Sequence, residues 1–287
     1  MRFRQPRILI IGCGDVGMRT ARQLAPRVRL LAFTSTAQRI PALRAASITP
    51  LLGNLDAPHT LRRLAGLATH VLHLAPPPSE GSTDPRSTHL VQVLRRRTPP
   101  RALVYLSTTG VYGDCGGAWV DESRPLAPTT ARAGRRVAAE RHIRRLGRAG
   151  KTRVGILRAP GIYAAGRGQT RTRLLRGTPV LRVQDDVYTN HIHADDLAHA
   201  CVLALWRAQP QRVYHVSDQS QVKMGDWFDQ LADHHGLPRP PRITREQAVE
   251  QLPLTLLSFM SESRKLRTTR LRRELRVRLK YPVATPL

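Results

Sequence analysis

Near its start the chain carries an apolar run, Arg7-Ile8-Leu9-Ile10-Ile11, that passes without a break into Gly12-Cys13-Gly14-Asp15-Val16-Gly17. The stretch Asp15–Leu24 then has helical spacing of its apolar residues. A strand, a G-x-G-x-x-G turn and a helix in immediate succession make a cradle for a diphosphate. Gly12 permits the sharp turn, Gly14 lets phosphates approach the backbone, and Gly17 lets the helix lie close to the strand. Asp15 and Val16 open the helix, where free N–H groups and the helix dipole favour an anion. The motif therefore predicts a dinucleotide site at residues 12–17.

The same unit recurs. Apolar runs at Arg7-Gly12, Val28-Phe33, Ser47-Leu52, His70-Ala75, Ala102-Ser107 and Arg153-Arg158 lack polar alternation, as expected for strands covered on both faces. Between them, Asp15–Leu24, Ala37–Ala46, Ala57–Ala65, Ser87–Arg97 and Thr130–Leu146 read as helices. The alternation predicts an α/β fold: a Rossmann-type doubly wound parallel sheet with a smaller C-terminal α/β lobe. Residues 1–164, completed by about 190–216, form the expected dinucleotide domain; 165–189 and 217–287 form the expected substrate lobe. There, Asp195–Trp206, Met224–His235, Arg245–Gln251 and Ser261–Leu275 read as helices.

Cofactor choice is written at the end of the second strand, where a carboxylate would bind the ribose 2′-hydroxyl of NAD. Phe33-Thr34-Ser35-Thr36-Ala37-Gln38-Arg39 contains no carboxylate. NADP is the expected cofactor, with NAD as the alternative. Thr34 borders the ribose, and Ser35 and Arg39 are candidate phosphate contacts.

The formal net charge of +27 invites a nucleic-acid reading. Only Lys151, Lys223, Lys265 and Lys280 are lysines, and the arginines are spread along the chain rather than gathered in a block. Aromatic residues make up 5%, too few for base-stacking platforms, so a small-molecule substrate is expected instead. No apolar run is long enough to span a bilayer, and no cleavage site follows the first residues. Cys13, Cys115 and Cys201 suggest neither a disulfide framework nor a zinc site, and a cytoplasmic protein is expected. His191 and His193 share one strand face, yet the expectation is no metal, with Asp195 capping a helix instead. Asp185–Asn190 is a candidate substrate loop, and Gly116-Gly117 a flexible loop over the fifth strand.

Further segments, in order, carry a family resemblance. They are Asn54-Leu55-Asp56, His73-Leu74-Ala75-Pro76-Pro77, Leu106-Ser107-Thr108-Thr109-Gly110-Val111-Tyr112-Gly113-Asp114, Leu157-Arg158-Ala159-Pro160-Gly161-Ile162-Tyr163 and Asn190-His191-Ile192-His193-Ala194-Asp195-Asp196. Together they resemble the extended short-chain dehydrogenase/reductases, the NAD-dependent epimerase/dehydratase family. The resemblance implies cofactor contacts at Asn54, Leu55, Leu74, Ala75, Pro76, Ser107 and Pro160. It implies substrate contacts at Thr109, Tyr163, Asn190 and His191, and a homodimer paired through helices beside the sheet.

The family's chemistry uses a Tyr-x-x-x-Lys pair, the tyrosine exchanging a proton and the lysine holding the ribose. Alignment on Glu140 puts Arg132 at the tyrosine and Arg136 at the lysine position. Arg136 keeps the charge and the ribose contact. Arg132 cannot act as a general acid near neutral pH, because guanidinium stays protonated. Thr108 falls at the family's Ser/Thr position. Three expectations stay open: another group such as Tyr112, Tyr163 or Tyr188 supplies the proton, with Tyr112 the first candidate; the substrate needs no such donor; or the protein binds NADP as a non-catalytic sensor. The first describes an NAD(P)-dependent oxidoreductase or epimerase/dehydratase-like enzyme acting on a small polar or nucleotide-sugar substrate.

Overall fold

Seven parallel strands carry the molecule. The computed structural model describes residues 5–25, 27–167 and 169–286. The strands are β1 (Arg7–Ile11), β2 (Arg29–Thr34), β3 (Thr49–Leu52), β4 (His70–His73), β5 (Ala102–Thr108), β6 (Arg153–Ala159) and β7 (Arg212–His215), in the spatial order β3-β2-β1-β4-β5-β6-β7. Chain order reverses at β1, so a crevice opens between the β1 and β4 ends, where open α/β sheets bind ligands.

The helices are α1 (Asp15–Leu24), α2 (Ile40–Ala45), α3 (Pro85–Leu94), α4 (Ala131–Arg148), α5 (Gln169–Leu175), α6 (Ala194–Arg207), α7 (Met224–His234), α8 (Arg245–Gln251), α9 (Leu254–Met260) and α10 (Thr269–Arg273). Successive residues of β1 point to opposite faces. Ile8 and Ile10 pack with α1, α2 and α6, while Leu9 and Ile11 pack with α3 and α4. All four are fully buried, which accounts for the unbroken apolar run. A third cluster, including Val180, Leu181, Trp227, Phe228, Leu231 and Met260, supports the smaller lobe.

Some local expectations are revised. Pro58–Leu64 forms 3-10 turns rather than an α-helix, and the segment from Ala37 to Ala45 is a 3-10 turn followed by α2. The fourth strand stops at His73, because the Leu74 and Ala75 amides both turn to the Ile11 carbonyl. The expected helix over Ser261–Leu275 does not form as one element. Ser263 donates its amide to the Asp114 carboxylate, Lys265–Leu266 pairs with Trp119–Val120, and only Thr269–Arg273 is helical. Long-range hydrogen bonds there override local helix preference. No helix among the described residues is long and apolar enough to cross a membrane.

Candidate active site

The glycine turn is shaped by close contact on one side and open space on the other. Gly12 adopts φ +82°, and a Cβ there would lie 2.6 Å from the Ala75 amide nitrogen. Gly17 is similarly confined, its missing Cβ standing 3.3 Å from both Cys13 Sγ and the Gly12 carbonyl. Gly14, which precedes α1, is the opposite case: nothing lies within 4 Å of where its Cβ would be. The helix ladder starts with Met18 N–H to Gly14 O at 2.9 Å, so the Asp15, Val16 and Gly17 amides precede the first intrahelical bond. Open space in front of Gly14, beside those amides, fits the diphosphate of a dinucleotide.

Asp15 does not point its charge freely at that space. Arg19 reaches its carboxylate at 2.8 Å and Arg167 at 2.6 Å. Burial would raise the Asp15 carboxyl, but the hydrogen bonds from Arg19 and Arg167 outweigh it and hold it below its ordinary value. Arg39 lies over the turn from the other side, donating Nη2 to the Cys13 carbonyl at 2.8 Å. Thr34 Oγ1 accepts the Thr36 amide at 3.2 Å, and Ser35 is exposed next to it. Asn54 Oδ1 accepts the Asp56 amide, and Leu55 is buried with its carbonyl 3.2 Å from His89 Nδ1. Arg86 then clamps Asp56 at 2.7 and 2.6 Å and donates to the Pro76 carbonyl, tying the β3 and β4 ends together.

Beyond the C-terminal ends of β4, β5 and β6 opens a cavity of about 770 Å³. Pro76, Thr108, Thr109, Arg136, Pro160 and Asn190 line it, so these expected site residues are brought together. Thr108 Oγ1 accepts the Gly110 amide at 3.3 Å. Arg136, from α4, donates Nη1 to the Tyr105 hydroxyl at 3.0 Å and to the Leu106 carbonyl at 2.8 Å. Asn190 is pinned by its own side chain, Nδ2 donating to the Arg264 carbonyl at 2.9 Å.

Several lining residues carry no recognised signal in the sequence, Phe259, Glu262 and Arg264 among them. These three arrive from α9 and the segment after it, held by Arg264 donating to the Gly113 carbonyl at 3.1 and 2.8 Å. Glu262 is the one carboxylate lining the cavity among the described residues. It accepts Thr129 Oγ1 at 3.2 Å and a hydrogen bond from Arg264. Arg132 projects into the same space with its guanidinium 4.4 Å from the Phe259 ring centre. Among the described residues its side chain makes no hydrogen bond or ion pair. With Arg86, Arg135, Arg136 and Arg264 also on the wall, the cavity is strongly positive.

Other expected site residues lie elsewhere. Tyr112 is buried, accepting from Arg158 Nη1 at 2.6 Å and bonded to His215 Nε2 at 2.6 Å. Burial pushes its phenol up to about 12 and pushes His215 down to about 4. The His215 Nδ1 faces the Arg267 carbonyl, so Nδ1 carries the proton and Nε2 accepts from Tyr112. Ser107 joins this network rather than the cavity, donating to Glu140 at 2.7 Å. Tyr163 packs against His191, His193 and Trp227, and His191 is buried and pushed down to about 4. Tyr112, Tyr163 and His191 do not line the cavity, whereas Tyr188 does. The cap of α6 is His193, whose Nδ1 accepts the Asp195 amide at 3.2 Å; Asp195 itself pairs with Arg19 at 2.5 Å.

No curated protein matches the sequence. The chain is 33% identical to a functionally unknown conserved protein from Silicibacter pomeroyi, with TM-score 0.81 over 96% of this chain and 94% of that one. A dTDP-glucose 4,6-dehydratase from Streptomyces venezuelae, solved with NAD bound, is 20% identical with TM-score 0.76, over 96% and 92% of the two chains. A UDP-glucose 4-epimerase from Thermotoga maritima, solved with UDP-glucose, is 16% identical with TM-score 0.76, over 96% and 94%. These last two share the fold. The model of the NAD dependent epimerase/dehydratase family matches residues 8–217, and with the glycine cradle and the parallel sheet this shows that the chain belongs to that family.

Proposed function

We propose that the protein is an NADP-dependent oxidoreductase or epimerase/dehydratase-like enzyme whose small polar substrate carries an anionic group, nucleotide sugars being the leading class. The observation that carries this reading is Arg132. It aligns with the family's tyrosine, stacks on Phe259 and, among the described residues, has no hydrogen-bond or ion-pair partner and shares the cavity wall with one carboxylate. A planar cation so held is an anion receptor and not a proton donor.

The bound dinucleotide would supply hydride exchange, and the chain's residues do the rest. Gly12, Gly14, Gly17, Val16 and the amide of Asp15 cradle the diphosphate. Arg39, with Thr34 and Ser35, receives the 2′-phosphate; Asn54 and Leu55 border the adenine. Leu74, Ala75, Pro76 and Pro160 flank the nicotinamide side, and Arg136 keeps the positive charge of the usual lysine. Thr108 and Thr109 hydrogen-bond the reacting oxygen, and Asn190 bounds the substrate. Glu262 takes or returns the hydroxyl proton, since a carboxylate in the cavity can accept what Arg132 cannot.

The replacement of the tyrosine by Arg132 also favours a second reading, a non-catalytic NADP sensor. Transfer of deuterium from 4-deuterated reduced NADP to the carbonyl carbon of UDP- and dTDP-linked keto sugars, offered as candidate acceptors, separates the two. Label transfer that Glu262→Gln abolishes supports the enzyme. Tight NADP binding without any transfer supports the sensor, and absence of dinucleotide binding defeats both.

A further inference from the structure

We propose that the opposite, N-terminal edge of the sheet holds a second ligand site, one that takes a nucleoside polyphosphate. A cavity of about 780 Å³ opens there, as large as the one beyond the C-terminal ends and within the range of small-molecule sites.

Its wall is a row of arginines set by the strand ladder. Arg29 begins β2, Arg7 begins β1, Arg101 precedes β5 and Arg153 begins β6. Backbone bonds of 2.8–2.9 Å from Thr69 N to Arg7 O, Arg101 N to Thr69 O and Arg153 N to Arg101 O lock them in register. At about 4.8 Å per strand, the row spans about 19 Å. Among the described residues, no Asp or Glu lines this cavity. The side chains of Arg29 and Arg101 are exposed and make no hydrogen bond or ion pair among the described residues. Among the described residues, the side chains of Arg7 and Arg153 donate only to carbonyls, those of Gly66 and Leu205, and Arg153 Nε is buried without a partner. Four guanidinium groups without a counter-charge recognise a chain of phosphates by charge-assisted hydrogen bonds.

The base is recognised by Trp206. Its ring packs on buried His70 at 4.3 Å, tilted by 52°, and remains 39% exposed at the cavity wall. Burial, together with Arg153 and Arg101, holds His70 down to about 4, so this support is neutral at physiological pH. An exposed aromatic face over a rigid support suits stacking of a purine. The limited size of the cavity and a lining with one exposed large aromatic among the described residues, enough for one base, favour a nucleotide over a nucleic-acid strand. The site is separated from the dinucleotide cradle by the length of the strands, so both can be filled together.

The test is calorimetric titration of ATP, AMP and inorganic triphosphate into the full chain at physiological salt, with NADP already saturating. ATP should bind, with AMP weaker by about tenfold or more as phosphate contacts are lost. The double variant Arg29→Ala, Arg101→Ala should weaken ATP and triphosphate alike by about tenfold or more. Trp206→Leu should weaken ATP and leave triphosphate unchanged, while NADP binding stays intact in every variant. The proposal is overturned if ATP does not bind over NADP, or if the arginine variant binds as the parent does. Equal affinity for ATP and triphosphate overturns base recognition, and preferential capture of single-stranded DNA at these arginines overturns the small ligand.

Discussion

Arg158 on β6 donates to both carboxylate oxygens of Glu140 on α4, at 2.9 and 2.7 Å, and both side chains are buried. The pair fixes the helix that carries Arg132 and Arg136 against the sheet that carries Thr108. It continues through Ser107, Tyr112 and His215, so every polar group in it has a partner. Removing one partner leaves the other charge buried and alone. Glu140→Ala should therefore cost about 3–5 kcal/mol in urea unfolding. An unchanged midpoint would show that water replaces the lost carboxylate.

Tyr112 and Glu262 should part company in function. Tyr112→Phe removes a hydroxyl that Arg158 and His215 share and should lower stability by about 1–3 kcal/mol, with any label transfer from reduced NADP retained. Glu262→Gln keeps an oxygen acceptor for Thr129 and Arg264 but loses the charge, so it should lower stability by about 1–3 kcal/mol and, in the folded protein, abolish transfer. The reverse pattern would return the proton role to Tyr112.

Gly12 and Gly14 test the cradle by contrasting effects. At Gly12 the added methyl meets the Ala75 backbone and the residue has positive φ, so Gly12→Ala should damage both folding and NADP binding. At Gly14 the methyl enters open space, so Gly14→Ala should keep stability within about 0.5 kcal/mol yet weaken NADP by about tenfold or more. Fluorescence titration of reduced NADP reads the binding. Full affinity in Gly14→Ala would mean that the diphosphate does not lie there.

Arg39 sets cofactor preference on this reading. Arg39→Ala should weaken NADP by about 10- to 100-fold, the range for a hydrogen bond to a charged group, and leave NAD nearly unchanged. Equal losses for both cofactors would assign Arg39 to the glycine turn, through its bond to the Cys13 carbonyl, rather than to the phosphate.

Asp218 makes stability fall with rising pH. Burial raises its carboxyl to about 7, and Oδ2 has no partner among the described residues. The folded chain therefore binds a proton that the unfolded chain releases near pH 4, and the stabilisation is lost as pH rises through about 7. His191 and His215, held down to about 4, act in the opposite sense, removing stability as pH falls from about 6.5 toward 4. Asp218→Asn isolates the first effect: relative to the parent, its melting temperature should gain between pH 5 and pH 8. A constant difference across that range would place Asp218 as an ordinary carboxylate.

The parallel sheet, most of the helices over it and the glycine turn are legible in the chain, because they depend on local patterns, whereas Pro58–Leu64 forms 3-10 turns where the pattern reads as helix. Strand runs, helical spacing and three glycines at short separation are legible within a few residues, and Thr108, Arg136 and Pro160, expected at the site from their place in ordered motifs, line the cavity. Which polar groups share a cavity depends on contacts between residues far apart in the chain. Tyr112 sits in the same motif as Thr108, yet Arg158 and His215, 46 and 103 residues away, draw it into the interior. Glu262 and Phe259 reach the cavity because Gly113, Asp114 and Asn190 hold the segment after α9, which by its own propensity reads as helix. The arginine row at the far edge is likewise invisible in the chain, where its members are separated by 22 or more residues. Strand pairing, a long-range hydrogen-bond pattern, is what sets them side by side.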